Sequence, residues 1–136
     1  MKDNKVFLGG TCNNSTWRDE LIPHLDVDYF NPVVEDWTPE CQEVERQEKA
    51  KSAVHLYVIT SAMTGVFSIA EAVESAMTEG VRTVFAVVPD GFDKAQCKSL
   101  EAVCGIINRN KGAALWGLSM REVAECIEDA LFASAA

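Results

Sequence analysis

The chain is 136 residues long, which fits one domain with a proper core and calls for no second. Hydrophobic residues make up 48% and charged residues 24%, ordinary globular usage that argues against disordered and fibrous classes. Twelve Lys plus Arg against twenty-one Asp plus Glu give a net charge of −9 with no basic block. That disfavours binding along a nucleic-acid polymer, yet a single nucleotide held by a few backbone amides and one arginine remains compatible.

The first residues run straight into a short strand and no apolar run reaches the ~18 residues of a membrane span. A soluble, unexported protein of the cytoplasm with no membrane partner is expected. Cys12, Cys41, Cys97, Cys104 and Cys126 are odd in number and lack CxxC or Cys/His metal spacing, which suits reduced thiols and speaks against zinc.

In chain order, strand and helix alternate. Residues 6–8 read as a first strand, followed by a loop of small, hydrogen-bonding residues, Gly9 to Thr16, and a helix over 17–25 with Leu21, Ile22 and Leu25 on one face. Residues 26–31 alternate into a second strand that stops at Pro32. An irregular loop ends at Thr38-Pro39-Glu40, an N-cap with proline at the first helical position, and 40–52 form a charged, surface-facing helix. Residues 55–59 are short, apolar and β-rich, as in a strand buried on both faces.

Gly65 breaks that run, after which Ile69, Ala72, Val73, Ala76 and Met77 recur at helical spacing. Residues 82–88 form a fourth strand closed by the Pro89-Asp90-Gly91 turn. Helix resumes over 93–109, with Gly105 as the place for an interruption; 113–116 form a weak fifth strand, and Ser119 caps a last helix that turns Val123, Ile127, Ala130 and Leu131 inward. Five strands joined by helices predict an α/β fold with a doubly wound parallel sheet, and a central first strand gives the order 2-1-3-4-5.

In that order the topological switch lies between strands 1 and 3, and ligands bind outside the carboxyl ends of the strands there. The Gly9–Thr16 loop and the stretch from Thr60 to Glu71 would then form opposite walls of one crevice. Glu71, expected in the first turn of its helix, is the leading reactive group. A second reading stands beside it: Ser68-Ile69-Ala70-Glu71 also matches a capping box, in which Glu71 would fold back on its own helix end.

The segments VFLGGTCNNSTWRDELIPHLDVDYFNPVVEDWTPEC and LYVITSAMTGVFSIAEAVESA resemble the nucleoside 2-deoxyribosyltransferase-like family over roughly residues 5 to 90. The resemblance implies a flavodoxin-like fold, a homodimer or larger homo-oligomer, and a glutamate nucleophile on the helix after the third strand, at Glu71. It implies N-glycosidic cleavage or deoxyribosyl transfer on a nucleoside or nucleotide, with no cofactor and no metal. By the same resemblance Gly9, Gly10 and Thr11 lie against the sugar or its 5′ substituent, while Asn31, Asp36 and Trp37 line the base side; the sheet order puts Gly65 and Ser68 on the opposite wall. Where transferases of the family commonly carry an aspartate about six residues before the nucleophile, this chain has Gly65. Where another aspartate precedes the third strand it has Lys51-Ser52-Ala53-Val54, so Asp36 is the substitute general acid. Hydrolysis, or nucleotide binding without chemistry, is compatible with those departures.

The chemistry explains the choice. Breaking an N-glycosidic bond builds positive charge at the anomeric carbon, which a carboxylate stabilises or attacks, and the base leaves more readily once protonated. Two motifs suggest other ligands. Cys12 and Arg18 stand in the C-x5-R spacing of cysteine phosphatases, without a glycine between them to wrap a phosphate. The Thr11–Thr16 loop also fits FMN as flavodoxins hold it. Arg18 is read as a 5′-phosphate contact or, more simply, as half of a surface ion pair.

Overall fold

A computed structural model describes residues 2–12, 15–33 and 38–135, with side chains through 133. Five strands, β1 (Asp3–Gly10), β2 (Asp28–Phe30), β3 (Ser52–Ile59), β4 (Arg82–Val87) and β5 (Gly112–Trp116), form one parallel sheet in the order β2-β1-β3-β4-β5. The helices are α1 (Trp17–Leu21), α2 (Pro39–Lys51), α3 (Phe67–Ala76), α4 (Lys94–Arg109) and α5 (Met120–Ala135). The expected doubly wound α/β topology is the one observed.

β3 is central and buried at every residue, the consequence of helices on both faces of a parallel sheet. Its side chains alternate. Val54, Leu56 and Val58 pack with Val6, Leu8, Trp17 and Leu21 under α1 and α5. Tyr57 and Ile59 pack with Phe85, Val87, Ala72 and Ala76 under α3 and α4. α2 lies over β1 and β3 on this second face, where its Lys49 reaches α3.

Local chemistry sets most of the helix ends. Thr38 Oγ1 accepts the Cys41 amide at 3.3 Å with Pro39 opening α2, as the sequence predicts. Asp93 and Gln96 make a reciprocal capping box at the start of α4, and Ser119 and Glu122 make another ahead of α5. Gly105 does not interrupt α4, whose span runs through it. The helix expected over 17–25 is shorter: it tightens into a 3₁₀ turn at Ile22–His24, where Pro23 withholds an amide.

Ser68 does not cap α3. The helix opens earlier, at Phe67, with Val66 at the N-cap position and no side-chain cap, so no carboxylate lies in its first turn. Glu71 therefore stands two residues deeper in its helix than the sequence suggests, and the capping-box reading of Ser68 and Glu71 is corrected. No helix among the described residues is long and apolar enough to cross a membrane.

A candidate nucleoside site at the carboxyl ends of β1 and β3

Two strand tips build the first wall. Gly9 pairs with Tyr57 and Gly10 with Val58 across the β1–β3 register. A Cβ on Gly9 would stand 2.8 Å from the Tyr57 ring, and one on Gly10 would stand 2.2 Å from the Val58 carbonyl oxygen at a φ of +114°. Both glycines are thus demanded by the sheet itself, before any ligand is considered. Beyond them Thr11 is buried; its amide donates to the Val58 carbonyl at 2.9 Å and its Oγ1 accepts the Thr60 amide at 3.0 Å.

The second wall is the turn from β3 into α3. Gly10, Thr11 and Cys12 face Met63, Thr64, Gly65, Phe67 and Ser68 across a crevice of about 160 Å³, with Ile59 at its floor. The two segments expected to share a groove do share one. Gly65 has open space where a Cβ would sit, so neither packing nor a positive φ requires glycine there. The volume falls short of the ~300 Å³ at which small-molecule pockets begin, so this crevice alone is smaller than such a site. A second cleft of about 440 Å³ between α3 and α4 adjoins it through Met63, Thr64 and Gly65. The larger cavity, about 630 Å³, lies at the amino ends of β4 and β5, the wrong end of such a sheet for ligands.

Arg18 is buried, not half of a surface ion pair. It is 4% exposed, and its guanidinium donates to the Leu8 carbonyl at 3.2 and 3.0 Å and to the Thr11 carbonyl at 2.8 Å. Trp17 Nε1 donates to the same Thr11 oxygen at 2.8 Å, and the guanidinium lies 4.2 Å over the Trp17 ring. Burial lowers the Arg18 pKa from its ordinary value, partly offset by the Cys12 thiol at 3.8 Å. A cation spent on the carbonyls that end β1 shapes the loop from behind. The same placement counts against a cysteine phosphatase, whose arginine must face phosphate.

Glu71 does not reach into the crevice lining. Its Oε2 accepts from Lys49 Nζ of α2 at 2.9 Å, both side chains being 19% exposed. Lys49 belongs to a larger group that the sequence did not single out. His55 Nε2 meets the Lys49 carbonyl at 2.7 Å, His55 Nδ1 meets Ser75 Oγ at 2.9 Å, and Ser75 Oγ meets the Tyr57 hydroxyl at 2.8 Å. A carbonyl only accepts, so Nε2 carries the proton, Nδ1 accepts from Ser75, and Ser75 accepts from Tyr57. Burial pushes His55 down to about 4, keeping the ring neutral. Burial also works against the Lys49 ammonium, but the Tyr57 hydroxyl and the Glu71 carboxylate outweigh it and hold its pKa above the ordinary lysine value.

Glu45, one turn before Lys49 on α2, is a second carboxyl in this neighbourhood. It is half-buried, and burial together with the Glu71 charge raises its pKa above the ordinary carboxylate value. Its field also reaches Arg18, which ties the α2–α3 cluster to the loop after β1. The signal in the sequence was the i,i+4 pair Glu45 and Lys49, read only as part of a solvated charged face. Asn31 is half-buried at the end of β2, where its side-chain oxygen accepts the Val33 amide at 3.1 Å. Asp36 and Trp37 lie outside the described residues.

No curated protein and no solved structure matches the chain significantly. The family described as nucleoside 2-deoxyribosyltransferase like matches residues 3–92, which takes in β1 through β4, both walls of the crevice and the helix that bears Glu71. By that match over well more than half of its length, the chain belongs to the nucleoside 2-deoxyribosyltransferase-like family.

Proposed function

We propose that the protein cleaves the N-glycosidic bond of a nucleoside or nucleotide, by hydrolysis or by transfer of the deoxyribosyl group, with Glu71 as nucleophile. The observation that carries the reading is the crevice between the Gly10–Cys12 loop and the Gly65–Ser68 turn, with a carboxylate one turn further along the same helix, in a chain of this family. Gly9, Gly10 and Thr11 lie against the sugar or its 5′ substituent, Gly65 and Ser68 face it, and Asn31 and Trp37 serve the base side. Arg18 acts indirectly, by fixing the carbonyls beneath the loop.

The reaction needs a proton on the departing base. Asp36 is one donor. Glu45 is the other, a half-buried carboxyl near Glu71 whose pKa burial and the Glu71 charge raise above the ordinary carboxylate value, the direction a general acid needs. Val66 and Phe67, 72% and 74% exposed at the mouth of α3, support a neighbouring subunit that covers the site, in a homodimer or larger assembly.

A second reading is a nucleotide-binding module without chemistry. The Lys49 ion pair favours it, because it occupies one oxygen of Glu71. Incubating the protein with deoxynucleosides, ribonucleosides and their 5′-monophosphates, with and without a second free base, separates the readings. New nucleoside marks transfer, free base alone marks hydrolysis, and saturable binding without turnover marks the module. Full turnover by Glu71→Gln overturns the catalytic assignment.

A further inference from the structure

We infer that Lys49 is a positioning residue for Glu71: with its backbone carbonyl held by a buried hydrogen-bond chain, its ammonium fixes Oε2, leaves Oε1 as the attacking oxygen, and hastens release of the glycosyl group. This rests on the reading of Glu71 as nucleophile.

The geometry is directional. Lys49's carbonyl takes the His55 Nε2 proton, His55 Nδ1 takes the Ser75 proton, and Ser75 Oγ takes the Tyr57 proton. The chain ends at Tyr57, and the Lys49 ammonium lies 5.6 Å from that ring's centroid. His55, Ser75 and Tyr57 are all buried, so the relay has little room to reorganise. A lysine on a surface helix would ordinarily swing freely about its four-carbon stem. Here its root is held by that buried chain and its head by Glu71, with the Phe7 ring centroid 6.0 Å from the ammonium.

The consequence for the chemistry follows from charge. In the first step Oε1 forms a bond to the anomeric carbon, the carbon–nitrogen bond breaks with its electron pair going to the base, and the base takes a proton from a carboxylic acid. The ester so formed has lost the negative charge that Lys49 faced. In the second step a water, or an acceptor base, bonds to the same carbon, the bond to Oε1 breaks, and its electron pair returns to the carboxylate; the incoming group's proton goes to the now-ionised acid. An ammonium fixed at Oε2 stabilises that returning charge and makes Glu71 a better leaving group.

The test uses whichever deoxynucleoside or 5′-monophosphate of the panel above is turned over. Lys49→Met is expected to lower kcat on the order of a hundredfold, the scale of losing one charge-stabilising donor. Intact-mass spectra of acid-quenched reactions should show the sugar-bearing adduct accumulating in this variant but not in the parent protein. Lys49→Arg, which keeps the charge, should restore kcat to within about tenfold and abolish the accumulation. Tyr57→Phe, which removes only the hydroxyl, should give a milder form of the same adduct. Parental kcat with no adduct in Lys49→Met, while Glu71→Gln is inactive, overturns the inference and leaves Glu71 standing. Parental turnover in Glu71→Gln removes both. Should no member of the panel turn over, the reading of Glu71 as nucleophile and this inference fall together.

Discussion

Thr11 and Thr60 tie together the strand tips that flank the crevice, the Thr60 amide donating to Thr11 Oγ1 across 3.0 Å and 49 residues of sequence. One wall is thereby registered against the other by a side chain, beyond the last rung of the β1–β3 ladder. Thr11→Val keeps the shape and deletes the acceptor, so the Thr60 amide loses its partner. A loss of about 1 kcal/mol in unfolding free energy is expected, together with weaker nucleoside binding, while Thr11→Ser retains both. Urea denaturation and a binding isotherm on the same variants check it.

The two glycines at the ends of the crevice should respond in opposite ways. Gly10→Ala places a Cβ against the Val58 backbone at a positive φ, and a loss of at least about 3 kcal/mol, or failure to accumulate folded protein, is expected. Gly65→Ala meets open space, so the thermal midpoint should hold within a degree or two of the parent value, on the order expected of an unstrained surface change. Its effect should fall on ligand affinity. A Gly65→Ala variant that unfolds as readily as Gly10→Ala would refute the contrast.

Arg18 is expected to matter first for stability. Arg18→Met preserves the stem that packs near Trp17 but leaves the Leu8 and Thr11 carbonyls without their charged donor, for a loss of about 2–4 kcal/mol. If the arginine instead contacts a 5′-phosphate, the variant would unfold like the parent and would lose its preference for nucleotides over nucleosides. Chemical denaturation beside a comparison of the two substrate classes distinguishes the outcomes.

His55 sets an acid limit. Its folded value of about 4 lies below the ordinary 6.5, so between those values the unfolded chain takes up a proton that the folded protein refuses. The stabilisation is complete above pH 6.5 and is lost as pH falls toward 4, by about 3 kcal/mol in full. Around the ring stand Ser75 and Tyr57, the Lys49 carbonyl, and the Lys49 and Lys2 ammoniums, both of which oppose protonation. Urea midpoints measured from pH 7 to pH 4 should fall through this window, and His55→Gln should flatten the fall.

Much of the architecture was legible in the sequence because burial leaves a periodic trace. The apolar run of β3, the helical spacing of Ile69, Ala72, Val73 and Ala76, and the Thr38-Pro39 start of α2 each report a local physical requirement, and the alternation of strand with helix restricts the sheet to few orders. With the order in hand, a groove between the tips of β1 and β3 followed without coordinates, since parallel strands all present their carboxyl ends on one side.

Partners were not legible. Glu71 was visible as an acidic residue on the correct helix, but its counter-ion sits 22 residues away on α2, a helix that read as a plain charged surface. Arg18 read most simply as half of a surface ion pair and is a buried donor that closes the end of β1, while His55, Ser75 and Tyr57 form a single proton-ordered relay. Periodicity tells which way a side chain points relative to its own element. Only the crossing of α2 and α3 over β1 and β3 decides what it meets there, because hydrogen bonds and ion pairs act over about 3 Å in space and carry no fixed separation along the chain.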